Sequence, residues 1–144
     1  MTGWSGTDPA KWARRQIENI NQILPRAVTR MAELMAQPIP DGGRTPYLTG
    51  NLSRSVTISA SGPMSRGGGE LRYSRQDFAS ASKAVAATGK AWIAYRAVYA
   101  HRVNYGFVGA DSLGRVYNQS GRGFLEANLA KWPSVLAGVV KELR

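Results

Sequence analysis

Ser55-Val56-Thr57-Ile58-Ser59-Ala60-Ser61 alternates hydroxyl and apolar side chains. A period of two is the rhythm of a strand with one buried face. The neighbouring stretches keep another rhythm. Upstream, Ile17, Ile20, Leu24, Val28, Met31 and Met35 recur every three or four residues, one apolar stripe on a long amphipathic helix. Thr7-Asp8-Pro9 supplies its start, a capping oxygen followed by a proline at the first helical position. Pro25 falls inside the stripe, where a missing N–H predicts a kink. Pro38, Pro40, Gly42 and Gly43 end the helix. Downstream, Leu125, Leu129, Trp132, Leu136, Val139 and Leu143 form a second stripe, interrupted by Pro133.

A strand between two helices predicts an α+β domain, with N-terminal and C-terminal helices packed on a small antiparallel sheet with long loops. Residues 91–96 read as a second strand and residues 70–73 as a return strand, while Thr49 caps a short helical turn. Residues 74–90 have no clear period, and residues 97–105 fit either a strand or a short helix. Residues 1–7 read as a flexible arm, and residues 62–69 and 107–122 as loops. The expected core comprises Ile17, Ile20, Leu24, Val28, Leu129, Trp132, Leu136 and Val139, with Trp12 and Trp92 also inward.

The 144 residues suit one domain, taken as residues 1–144. With no cysteine and one histidine, His101, there is no disulfide framework, thiolate site or multi-histidine metal site. Residues 1–7 lack a basic segment leading into an apolar run, and no apolar run reaches membrane-spanning length. The expectation is a soluble protein made in a cytoplasm, with no membrane partner.

Catalysis has little to work with. Acidic residues stand singly, His101 has no Gly-x-Ser-x-Gly partner, and Ser65-Arg66-Gly67-Gly68-Gly69 lacks the Lys-Ser/Thr ending of a phosphate loop. The expectation is a non-enzymatic protein with no catalytic, cofactor or metal residues. Charge points to a partner instead. The chain carries +10, and residues 41–122 hold eleven basic against four acidic groups, nine of the eleven being arginine. Arginine's planar fork suits phosphates and interface carboxylates. Arg54, Arg66, Arg72, Arg75, Arg96 and Arg102 lie away from both stripes, which assigns them to a partner surface rather than to the fold.

Three segments then read together. Thr45-Pro46-Tyr47-Leu48-Thr49-Gly50-Asn51-Leu52-Ser53-Arg54-Ser55 is similar to TPxxTGxLxxS, through Thr49, Gly50, Leu52 and Ser55. Tyr99-Ala100-His101-Arg102-Val103-Asn104-Tyr105-Gly106 is similar to YAxxVExG, through Tyr99, Ala100 and Gly106. Gly123-Phe124-Leu125-Glu126-Ala127 is similar to the PFLxxA opening of a terminal helix, through Phe124 and Leu125. In this order, over residues 8–143, the chain resembles the head–tail connector or tail-completion proteins of the neck of long-tailed bacteriophages. Asn104 stands where that family usually has an acidic residue, and Gly123 where it has proline.

The resemblance implies a virion structural protein made in the bacterial host, a homo-oligomeric ring of six copies. It would join the DNA-filled capsid to the tail and touch adjacent neck proteins and the tail tube or terminator. The six arginines would then line a DNA channel or a subunit interface. A tail terminator of the same neck and a sequence-nonspecific nucleic-acid-binding protein are the alternative readings.

Overall fold

The computed structural model describes residues 8–47, 49–64, 72–110 and 113–143. The fold is α+β. Helix α1 (Pro9–Ala36) is followed by a short 3-10 turn and the single-turn helix α2 (Asn51–Arg54). Strand β1 (Val56–Ser59), helix α3 (Phe78–Thr88) and strand β2 (Trp92–Tyr95) come next. Helix α4 (Ala100–Tyr105) leads into strands β3 (Gly106–Ala110) and β4 (Val116–Ser120), and the described chain closes with α5 (Phe124–Leu129) and α6 (Trp132–Glu142).

Two antiparallel pairs form, not one sheet. Val56 pairs with Tyr95 and Ser59 with Trp92 in the first. Gly106 pairs with Ser120 and Ala110 with Val116 in the second. The alternation around residue 56 has its expected cause: Val56 and Ile58 are buried, while Thr57 and Ser59 are partly exposed. On them pack Val28, Met31 and Met35 of α1, Phe78 and Val85 of α3, and Val135 and Val139 of α6. A second, smaller apolar cluster joins Leu52, Ala97, Ala100 and Phe124.

The start of α1 is as its sequence predicts. Asp8 caps it, its carboxylate accepting from the Ala10 N–H at 3.1 Å, with Pro9 in the first turn. The helix runs on through Pro25 as one element. Pro133 behaves differently: the C-terminal stripe divides into α5 and α6, with Pro133 in the first turn of α6, where no N–H is needed.

Several expectations need correction. Residues 107–122 are not a loop, because most of them build the β3–β4 hairpin. Residues 74–90 contain a full helix, α3, capped by Asp77 and ended by Gly89 in the left-handed conformation. Its many alanines favour helix while giving little apolar contrast to reveal a period. Of the expected return strand, residues 70 and 71 lie outside the described residues, and Arg72 and Tyr73 belong to no strand. Among the described residues, the edge of β1 away from β2 is met by the Gln76 side chain. The Ile58 N–H donates to Gln76 Oε1 at 2.8 Å, and Gln76 Nε2 donates to the Ile58 carbonyl at 3.2 Å. Short helix α2 begins two residues after the expected cap: Gly50 is the N-cap, and Thr49 Oγ1 accepts from the Asn51 N–H.

The expected core divides. Val28 and Val139 are fully buried, and Leu24, Trp132 and Leu136 pack against the core from its margin. Trp12, Ile17 and Ile20, at 57–63% exposure, lie on the N-terminal half of α1, which the end of α6 meets at Asn19, and Leu129 is also exposed. Trp92 is partly buried. Residues 1–7 and most of 62–69 lie outside the described residues.

Candidate functional site

The three motif segments, far apart in sequence, meet. Leu52 from the first, Ala100 from the second and Phe124 from the third are buried against one another in the smaller cluster. Phe124 also meets Tyr95 edge to face, ring centroids 4.9 Å apart. Leu125 packs at the margin of the larger core, and the buried Ser55 hydroxyl donates to the Leu52 carbonyl at 2.7 Å. Tyr99 lies across from α2, its hydroxyl accepting from Asn51 Nδ2 at 3.4 Å. Asn51 Oδ1 in turn accepts from the Tyr73 N–H at 2.7 Å, which fixes the chain beyond residue 71 to α2.

Both motif glycines are required by the backbone. Gly50 has φ +78°, and a Cβ there would stand 2.9 Å from the Tyr47 ring. Gly106 has φ +86°, and a Cβ would stand 2.6 Å from the Gln119 carbonyl oxygen. The first lets α2 start beside Tyr47, and the second lets the hairpin leave α4 directly.

Asn104 ties α4 to α5. It is buried; its Nδ2 donates to the Glu126 carboxylate at 3.0–3.1 Å, and its Oδ1 accepts from the Leu125 N–H at 2.9 Å. Asparagine thereby caps the start of α5 from a distance, and the Gly123 N–H donates to the Asn104 carbonyl. An acid at this position would set two carboxylates against each other. Glu126 is held below the usual carboxylate range, first by its own backbone N–H and then by Asn104. The same carboxylate pushes the neighbouring Tyr105 phenol upward, by hydrogen bonding and then by its charge.

Thr45, which opens the first motif, is wholly buried. Its hydroxyl donates to the Met35 carbonyl, near the end of α1, and stands 2.8 Å from the Tyr95 hydroxyl. Tyr95 Oη also donates to Met35 O at 2.8 Å and accepts from Asn128 Nδ2 at 3.1 Å. Burial pushes this phenol up to about 12.

Beside the meeting point lies a cleft of about 480 Å³. Ile39, Pro46, Tyr47, Leu52 and Val103 form its apolar walls, with Thr49, Asn51, Tyr99 and Arg122 as polar groups and no acidic residue among the described lining residues. This chemistry accommodates an apolar side chain of a partner next to a carboxylate. Tyr47 stands inside the quoted motif, which was the available signal for the cleft; Arg122 and Ile39 carried none.

The five described arginines of the six do not form one surface. Arg54 Nε donates to the Tyr73 carbonyl at 2.9 Å and its Nη1 to the Thr49 carbonyl at 3.2 Å. Arg75 donates to the Ala36 carbonyl at 2.9 Å, at the C-terminus of α1, and to the Ser53 hydroxyl at 3.2 Å. These two guanidiniums hold the fold, in contrast to the expectation that none does. Arg96 Nε is buried with no hydrogen-bond partner among the described residues. Arg102 stacks over the Phe107 ring, 4.0 Å from its centroid, while Arg72 is exposed. Arg66 lies outside the described residues.

Among the described residues no cluster of three metal-ligating side chains occurs, and no helix is long and apolar enough to cross a membrane. Set against protein-family models, curated proteins and solved structures, the chain matches none.

Proposed function

We propose that this chain is a non-enzymatic structural protein of a phage neck, a ring-forming tail-completion or head–tail connector protein that joins the DNA-filled capsid to the tail. One observation carries the reading: the three motif segments that resemble that family meet through Leu52, Ala100 and Phe124, and the first two of them line one cleft. They behave as parts of a single unit rather than as unrelated matches along the chain. Six copies round an axis multiply a +10 protomer into a strongly positive annulus. Among the described arginines of the six, exposed Arg72 and Arg102 are then available to DNA phosphates or to acidic neighbouring neck and tube proteins, since Arg54 and Arg75 are engaged within the chain. The net charge also favours a second reading, a sequence-nonspecific nucleic-acid-binding protein.

Deleting the gene from the phage that encodes it separates the two. A neck protein leaves DNA-filled heads and finished tails unjoined in electron micrographs, and in the wild type it is found at the junction. Joined, infectious particles from the deletion strain overturn the proposal. Tight binding to DNA by a monomer missing from particles selects the second reading.

A further inference from the structure

The cleft of about 480 Å³ beside the motif segments gathers exposed apolar side chains and unspent hydrogen-bond donors. Ile39, Tyr47 and Tyr99, at 52%, 55% and 39% exposure, all line it. Exposed apolar surface gathered in one place and rimmed by polar groups marks an interaction site. The walls are fastened from behind. The Ile39 N–H donates to the Thr45 carbonyl and the Arg122 N–H to the Val103 carbonyl, both at 2.9 Å. The cleft is therefore pre-formed, which spares an occupant the cost of ordering it.

We infer that this cleft docks an exposed segment of a neighbouring protein in which an Asp or Glu side chain stands beside a bulky apolar residue. The inference deepens the neck reading and rests on it for the neighbour. The polar groups decide the sign of the charge. The Tyr99 hydroxyl accepts from Asn51 Nδ2 and the Thr49 hydroxyl from the Asn51 N–H, so each keeps its own O–H to donate. Among the described residues the Arg122 guanidinium makes no hydrogen bond and no ion pair. Arg54 Nη1, 2.8 Å from where a Cβ on Gly50 would stand, adds a second positive charge beside the lining. Asp41, next in sequence to the lining residue Pro40, borders a separate hollow with Arg75 and Val135. Donors and cations with no carboxylate among the described lining residues select an occupant that accepts hydrogen bonds and carries negative charge. The aliphatic walls Ile39, Pro46, Leu52 and Val103 supply the other half of the match, a place for an apolar side chain. One guanidinium in such walls suits a carboxylate, whose two oxygens fit its planar fork. A nucleic acid strand needs repeated cations along a groove instead.

The test sorts a library of short random peptides, displayed on yeast, against the purified full chain. Enriched sequences are expected to place an acid next to a large aliphatic or aromatic residue. The strongest is then made with both ends blocked, so that no terminal carboxylate takes part, and titrated by heteronuclear NMR. Shifts are expected at the amides around Tyr47, Tyr99 and Arg122. Changing the peptide's acid to its amide isostere should weaken binding about tenfold or more, the worth of one hydrogen bond to a charged group. Arg122→Gln should keep the wild-type melting temperature and bind the acid and amide forms alike. If that variant melts early, the acid and amide forms compared on the wild type still decide. No enrichment, an enriched set without acids, or equal binding of the two forms by the wild type overturns the inference. So do shifts elsewhere on the chain, or a peptide that binds only with its own terminal carboxylate free. A single-stranded oligonucleotide that shifts the same amides at lower concentration gives the cleft to nucleic acid and overturns it too. The neck reading fails separately. A chain absent from phage particles that still selects acidic peptides loses that role and keeps this cleft, and a chain at the neck that selects none does the reverse.

Discussion

The two halves of α1 carry one continuous apolar stripe and meet opposite surroundings. From Ala27 onward the helix is walled in by β1, α3 and α6, and Val28, Met31 and Met35 are buried. Before Ile23 the stripe faces solvent, although its spacing is the same. Periodicity tells which face of a helix is apolar; whether anything covers that face depends on where the neighbouring elements stop. Here α6 stops at Glu142, and the Leu143 carbonyl just beyond it accepts from Asn19 Nδ2.

The sharpest way to break this contrast is to truncate one side chain on each half. Met31→Ala should cost about 2–5 kcal/mol, the range for a large buried side chain whose cavity only partly collapses. Ile20→Ala on the exposed half should stay within about 0.5 kcal/mol. Urea unfolding of the monomer measures both. Equal losses would mean that the exposed half is covered after all.

A smaller effect is expected where the buried half is fastened. Tyr95 ties the Met35 carbonyl to β2 and, through Asn128, to α5. Tyr95→Phe removes the hydroxyl and should cost about 1–2 kcal/mol, since the groups it served lose their partner. The pH dependence has a definite sign. The folded-state phenol, pushed up to about 12, lies above its ordinary value of 10.0, so folding favours the neutral form. The stabilisation is complete below about pH 10 and is lost as pH rises through the folded value, up to about 3 kcal/mol in all. The difference between wild-type and Tyr95→Phe stability should therefore shrink across that window and reverse sign at its upper end. A constant difference to pH 12 would remove Tyr95 from the buried network.

How much of this was legible in the sequence follows from contrast between neighbouring side chains. β1 was readable because Val56 and Ile58 are buried while Thr57 and Ser59 face outward. The hairpin was not, because Val108 and Val116 point to solvent and Gly109 interrupts any alternation. In α3 the small Ala and Ser residues erased the period, and only the caps Asp77 and Gly89 marked its ends. The motif residues were legible singly, but their meeting through Leu52, Ala100 and Phe124 depends on tertiary contact. The arginines misled for the same reason. Arg75 reads as a surface charge until the C-terminus of α1 is placed beside it, where its guanidinium meets the Ala36 carbonyl.

That contact gives the next prediction in size. Arg75→Ala should cost about 1 kcal/mol, the net worth of one such hydrogen bond at a helix end. Arg72→Ala, three residues away and exposed, should leave the unfolding midpoint unchanged. If the two variants melt alike, Arg75 belongs with the partner-facing arginines and not with the fastening of α1.

The smallest effect should come from the other end of the same helix. Asp8 caps α1 by accepting from the Ala10 N–H, and removing such a cap ordinarily costs about 1 kcal/mol of helix stability. That free energy reaches the unfolding midpoint only if the capped turn melts together with the core. The first turns of α1 carry Trp12 and Ile17 in solvent, so they can fray while Met31 and Met35 stay packed. Asp8→Ala should therefore speed hydrogen exchange of the amides just after Trp12 and lower helical circular dichroism slightly. The urea midpoint of the monomer should not move. Should the midpoint fall as it does for Met31→Ala, the exposed half folds as one unit with the core, and the two halves of α1 are not distinct. Should it fall only at concentrations where the chain self-associates, the exposed half is ordered by a neighbouring copy, and the cap acts on assembly rather than on the fold.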